Sequence, residues 1–165
     1  MELIACVNNC WCIGKNNDLL YHLSTDMKFF REKTKDNVII VGRKTLESFP
    51  GGKPLKNRVN IVLTTDKSYY RDDCIIVHSI ENVLEEIKKY DDKTIYVCGG
   101  EQIYKLFEPF CDTAYITKVN DDLKGDKYFP NLNNIENWIL SEESDTITEN
   151  GYEFKFCTYR NKLSK

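Results

Sequence analysis

The run Val38-Ile39-Ile40-Val41, closed by Gly42, constrains the fold more than any other stretch of this chain. All of its residues are β-branched and none is polar, so it reads as a strand with no solvent side, covered on both faces. Ile95-Tyr96-Val97-Cys98, ending in Gly99-Gly100, repeats the pattern. Further runs, "ELIACV", "RVNIVLTT", "CIIVHS" and "TAYITKV", alternate with stretches of helical spacing at 25–34, from 44, at 80–89 and at 101–108. Such alternation predicts an α/β fold around a mainly parallel sheet. At 165 residues, 41% of them hydrophobic, the chain suits one domain spanning 1–165.

Beyond residue 135 the pattern changes to strand-like runs on either side of Asn150-Gly151, a strong hairpin signal, so the sheet should end antiparallel. The Asn-rich stretch 8–22, broken by Gly14, reads as a long irregular loop of the kind that carries function. The net charge is only -3, with acids and bases interspersed, which argues against nucleic acid or an anionic membrane as the main partner. No basic leader opens the chain and no run approaches ~18 apolar residues, so the expectation is a cytoplasmic protein. The cysteines at 6, 10, 12, 74, 98, 111 and 157 form no C-x-x-C pair, and His22 and His78 lie far apart. That spacing argues against a metal site and for reduced thiols, most of them small buried apolar groups.

Candidate chemistry begins in "LLYHLSTDMKFF". Ser24 or Thr25 reads as a helix cap, which would put Asp26 in the first turn, where the helix dipole favours a carboxylate. Helical spacing, however, puts Asp26 on a face with Leu23, Phe29 and Phe30 and away from Lys28, Arg31 and Glu32. A cap explains an acid near the start of the helix; only a partner or a task explains one on the apolar face. Gly42, Arg43, Lys44 and Thr45 take a buried strand into a helix start bearing two cations and a hydroxyl, an anion site suited to phosphate. It is not a Walker A loop, because Asn37 and Arg43 stand where glycine and lysine are required. Gly99-Gly100 permits close approach of a ligand, but no G-x-G-x-x-G follows any strand. Arg58 opens a strand that runs to Thr64-Thr65, and its planar fork would suit a substrate carboxylate.

Taken together, these pieces resemble the dihydrofolate reductase family in its bacterial form. "LIACVNNCWCIGKNNDLLYHLSTDMKFFREKT", "VIIVGRKTLESF", "PLKNRVNIVLTT", "VCGGEQIYKLF", "AYITKV" and "GDKYFP" occur in the family's order and spacing over nearly the whole chain. The resemblance implies a central eight-stranded, mainly parallel sheet with an antiparallel C-terminal strand and four flanking helices. It implies reduction of 7,8-dihydrofolate to tetrahydrofolate by hydride transfer from NADPH with protonation of the pterin C=N, in support of one-carbon and thymidylate metabolism. It also implies a monomer that binds antifolate-type inhibitors, with no metal. Asp26 matches the carboxylate that anchors the pterin, and water is the immediate proton donor. Ile4, Ala5, Cys6, Leu19, Met27, Phe30, Phe49, Leu55, Cys98 and Tyr104 match the substrate pocket, Thr117 the hydroxyl supporting the acid, and Arg58 the clamp on the glutamate tail. The cofactor set is Ala5, Ile13, Gly14, Gly42, Arg43, Lys44, Thr45, Leu63, Thr64, Thr65, Ser79, Cys98, Gly99, Gly100, Glu101, Gln102, Ile103 and Tyr104. Gly99-Gly100 matches a cis peptide, and 8–22 a mobile lid over the nicotinamide.

Leu20-Tyr21 stands where the family commonly has Pro-Trp, which assigns to the Tyr21 phenol the holding of a pocket water. "FPGGKPL" is one residue longer than the bacterial pattern, Cys98 replaces an aliphatic residue, and Gln102 stands where an arginine sometimes reaches the cofactor. Two alternatives remain at this point: another pterin or pyrimidine reductase of the same fold, and a non-catalytic NADPH-binding relative.

Overall fold

The β-branched runs do form the centre of the molecule. The computed structural model describes residues 1–163. Its strands are β1 (Glu2–Val7), β2 (Cys12–Lys15), β3 (Asp18–Leu19), β4 (Val38–Gly42), β5 (Val59–Leu63), β6 (Ile75–Val77), β7 (Ile95–Val97), β8 (Thr113–Val119), β9 (Lys127–Tyr128), β10 (Trp138–Glu143), β11 (Ile147–Glu149) and β12 (Tyr152–Asn161). Among the described residues the α-helices are α1 (Ser24–Thr34), α2 (Arg43–Ser48), α3 (Ile80–Ile87) and α4 (Glu101–Phe107). The main sheet runs β10-β12-β8-β1-β7-β4-β5-β6, with β11 also paired to β12. From β8 through to β6 every neighbouring pair is parallel; β12 joins β8 antiparallel, and β10 and β11 join β12 antiparallel.

Val38, Ile39, Ile40 and Val41 are all 0% exposed, as an unbroken β-branched run in a doubly covered strand requires. Their alternating side chains enter two separate apolar clusters. Val38 and Ile40 pack with Leu3, Val97 and Phe107, while Ile39 and Val41 pack with Ile4, Leu46 and Val62. Asn150 and Gly151 both have positive φ (52° and 80°) and join β11 to β12, the hairpin expected from the sequence.

Three local readings are corrected. The stretch 8–22 is not an irregular loop: β2 and β3 form a hairpin through Asn16 and Asn17, both at positive φ, and β9 completes a three-stranded sheet. The side chain of Asn8, wholly buried, organises it by accepting from the Cys10 and Cys12 N–H groups and donating to Tyr21 Oη and the Leu123 carbonyl. Neither Ser24 nor Thr25 caps α1. Leu23 holds the N-cap position without a side-chain bond, and the Glu149 carboxylate accepts from the Thr25 N–H and, at 2.8 Å, from its hydroxyl. A carboxylate reaching the helix start from β11 satisfies orphan donors as a local cap would. Finally, α3 ends at Ile87 rather than 89, and Ser79 caps it by accepting from the Asn82 N–H.

Gly125 fixes how the small sheet sits. A Cβ at this position would lie 2.1 Å from the Gly14 carbonyl oxygen and 2.6 Å from Cys12 Sγ. Backbone cannot yield as a side chain does, so Gly125→Ala should cost about 1–3 kcal/mol of stability. Hydrogen exchange should locate the damage at the Asp126 N–H, which donates to Gly14 O at 3.0 Å. Unaltered protection of that amide would refute this account.

Candidate active site

Parallel strands deliver their C-terminal ends to one edge of the sheet, and the loops leaving that edge build the site. Gly42 at the end of β4 and Gly99 just past β7 are tied directly, the Gly42 N–H donating to the Gly99 carbonyl at 2.8 Å. The Gly99–Gly100 peptide is cis. Helices α2 and α4 start immediately after these glycines, and a Cβ on Gly100 would come within 3.2 Å of Thr45 Oγ1. The result is a glycine-floored cleft of about 780 Å³ between the ends of β1, β4, β5 and β7 and the small sheet.

Every residue that the resemblance assigned to the cofactor lines this cleft, from Ala5, Ile13 and Gly14 through Gly42 to Thr45, Leu63 to Thr65 and Ser79, to Cys98 and the start of α4. Lys15, His78 and Lys127 line it as well and were missed. His78 was legible, since it directly follows the apolar strand β6 and therefore falls on the same edge; its Nδ1 lies 2.8 Å from the Thr64 carbonyl. Lys127 was not, because only the pairing of β9 with β2 brings it there. Arg43 does not stand free. Its Nε meets Glu47 at 2.9 Å, its Nη1 meets Asp66 at 2.8 Å, and its guanidinium lies 4.6 Å from the Tyr69 ring centroid.

Of the residues expected around the substrate, Ala5, Cys6, Leu19, Cys98 and Tyr104 line the cleft. Ile4, Phe30, Phe49, Leu55 and Cys98 belong to one apolar cluster beside it, while Leu19 and Met27 are exposed. The Tyr104 hydroxyl donates to the Ile4 carbonyl at 2.7 Å, fixing α4 against β1 beyond the point where β7 stops pairing. Arg58 donates to Thr34 Oγ1 and to the Lys56 and Arg31 carbonyls. Among the described residues it has no carboxylate partner.

Asp26 sits where the first turn of α1 crosses β8, and the Thr117 hydroxyl donates to its Oδ1 at 2.6 Å. Lys28, Arg31 and Glu32 are exposed and Leu23 is buried, as the helical spacing required. Burial pushes the Asp26 carboxyl above its ordinary range, and the charge of Glu149 adds to this; the Thr117 hydrogen bond and the neighbouring Cys6 thiol pull it back only in part. The Tyr21 hydroxyl is engaged within the protein, where it donates to Asp121 and accepts from Asn8. The Tyr21 ring packs edge-on to Tyr152 and does not line the cleft.

A family model described as dihydrofolate reductase matches residues 1–161. The dihydrofolate reductase of Bacillus subtilis is 38% identical over 154 residues, 92% of this chain and 89% of that one. That of Staphylococcus haemolyticus is 35% identical over 161 residues, 96% of this chain and 94% of that one. Among solved structures, dihydrofolate reductase from Enterococcus faecalis complexed with NADP(H) and RAB-propyl superposes with a TM-score of 0.87 at 32% identity, covering 98% of this chain and 95% of that one.

The raised Asp26 carboxyl sets a pH dependence of stability. An acid with a folded pKa above its unfolded value keeps a proton that the unfolded chain releases, so stability falls as pH rises from about 4, the unfolded value, through the folded one. Asp26→Asn keeps an acceptor for Thr117 and removes this penalty. The melting temperature of the variant minus that of the wild type should therefore be small at about pH 4 and grow towards neutrality. A difference independent of pH would contradict the burial argument.

Proposed function

The chain belongs to the dihydrofolate reductase family, and from that premise we propose that it reduces 7,8-dihydrofolate to 5,6,7,8-tetrahydrofolate with NADPH. The observation that carries the reading is a largely buried carboxylate, Asp26 bonded to Thr117, whose cross-strand neighbour Cys6 lines the long cleft. The cleft has the chemistry a dinucleotide phosphate chain needs: a floor of Gly42, Gly99 and Gly100, the cations Arg43 and Lys44, and the hydroxyls of Thr45, Thr64, Thr65 and Ser79. The carboxylate contacts of Arg43 are exposed ion pairs of little worth, so exchanging one for a cofactor phosphate costs little.

NADPH supplies the hydride to the carbon of the pterin C=N. Asp26 anchors the amidine-like edge of the pterin by charge-assisted hydrogen bonds, and its negative charge favours protonation of the adjacent nitrogen, with water as the immediate donor. Ile4, Phe30, Phe49 and Leu55 hold the pterin and exclude solvent around it. Holding the two reactants together supplies the other large part of the acceleration. Arg58, without an acidic partner among the described residues, receives the glutamate tail of the substrate. Antifolate-type inhibitors would enter the same pocket. Among the described residues no helix is long and apolar enough to cross a membrane; a cytoplasmic monomer completes the proposal.

Absorbance of NADPH should fall when dihydrofolate is added to the protein, and no fall would end this reading. Asp26→Asn should keep the fold and lower turnover at neutral pH by about 100-fold or more. A near wild-type rate would remove Asp26 from the mechanism. Arg58→Lys should raise KM for dihydrofolate about tenfold with kcat little changed, since a point charge cannot reproduce a planar fork. An unaltered KM would put Arg58 outside the substrate site.

A further inference from the structure

The Tyr21 hydroxyl bonds to Asp121 and Asn8, and the polar group of the cleft wall nearest the Thr117–Asp26 pair in the sheet is the thiol of Cys6. Cys6 is the direct cross-strand partner of Thr117 in the β1–β8 pairing, so both side chains leave the sheet on the same face, towards Asp26. Cys6 lines the cleft, whereas neither Asp26 nor Thr117 does. Cys6 therefore stands beside the Thr117–Asp26 pair and in the wall of the cleft at once.

We infer that Cys6 is a positioning residue for the reaction proposed above, donating its S–H to the Asp26 carboxylate so that, with Thr117, it holds that group ionised and aimed at the pterin. The inference rests on the reading of Asp26 as the pterin anchor. Burial and the adjacent carboxylate both push the Cys6 thiol well above its ordinary range, so at neutral pH it is a protonated donor and not a thiolate. The groups facing Asp26 are few. Thr117 from β8 and Cys6 from β1 favour its charge, Glu149 from β11 opposes it, and Tyr104 from α4, buried and bonded to Ile4 O, stays neutral. Removing the S–H leaves Thr117 alone against burial and Glu149.

The test is a carbon-detected NMR titration of the Asp26 carboxyl in the ligand-free protein, compared across wild type, Cys6→Ala and Cys6→Ser. A thiol is a weak donor, so Cys6→Ala should raise the midpoint by about half a unit. Cys6→Ser, with the stronger hydroxyl donor, should return it to the wild-type value or below. The pH profile of single-turnover hydride transfer should move with the carboxyl. An unchanged midpoint in Cys6→Ala overturns the inference, as does a Cys6→Ser midpoint raised as far as that of Cys6→Ala, which would mark a packing effect. The titration needs no substrate. Loss of the dihydrofolate reaction in the wild type would count against the proposed function, while the Cys6 result would stand or fall on the carboxyl alone.

Discussion

Parallel pairing of β8, β1, β7, β4, β5 and β6 is the constraint from which the rest of the molecule follows. Such a sheet must be covered on both faces, because its backbone and its β-branched side chains leave no side for water. The cover is supplied by helices, and connections that return each strand in the same direction bring all the C-terminal ends to one edge. At that edge the chain leaves the ladder, and its polar groups become available to a ligand. Gly42, Thr64, His78 and Gly99 are separated in sequence and brought to one cleft for this one reason.

Within that frame the acid is the costly element. Asp26 is largely held away from water with one hydroxyl at 2.6 Å and a thiol beside it, and the carboxylate of Glu149 works against its charge. Glu149 is not misplaced, however, since it caps the N-terminus of α1 through Thr25. One carboxylate at the helix start satisfies backbone donors at the surface, and a second in the next position of the helix faces the apolar interior. The difference between them is burial, which decides whether an acid is a cap or a tool.

The region 8–22 illustrates where local reading fails. Asparagine and glycine abundance signals turns, and Asn16 and Asn17 do occupy one at positive φ. What the composition does not contain is β9, more than a hundred residues away in the chain, whose pairing turns the stretch into a sheet. The same holds for Asn8, whose four hydrogen bonds include the Leu123 carbonyl and the Tyr21 hydroxyl. That network ties the Tyr21 hydroxyl to Asp121, while Cys6, paired with Thr117, lines the cleft.

The sequence by itself determined the class of fold, the central strands, the terminal hairpin and the face on which Asp26 lies, because each depends on periodicity or on backbone preference over a few residues. Its family likeness also named most of the residues that line the cleft. Only the tertiary structure decided which group caps α1, where the Tyr21 hydroxyl goes, what pairs with Cys6 and that Arg43 meets two carboxylates. Those outcomes depend on contacts between distant segments, and hydrogen bonds and desolvation act over a few ångströms of space, whatever the separation along the chain.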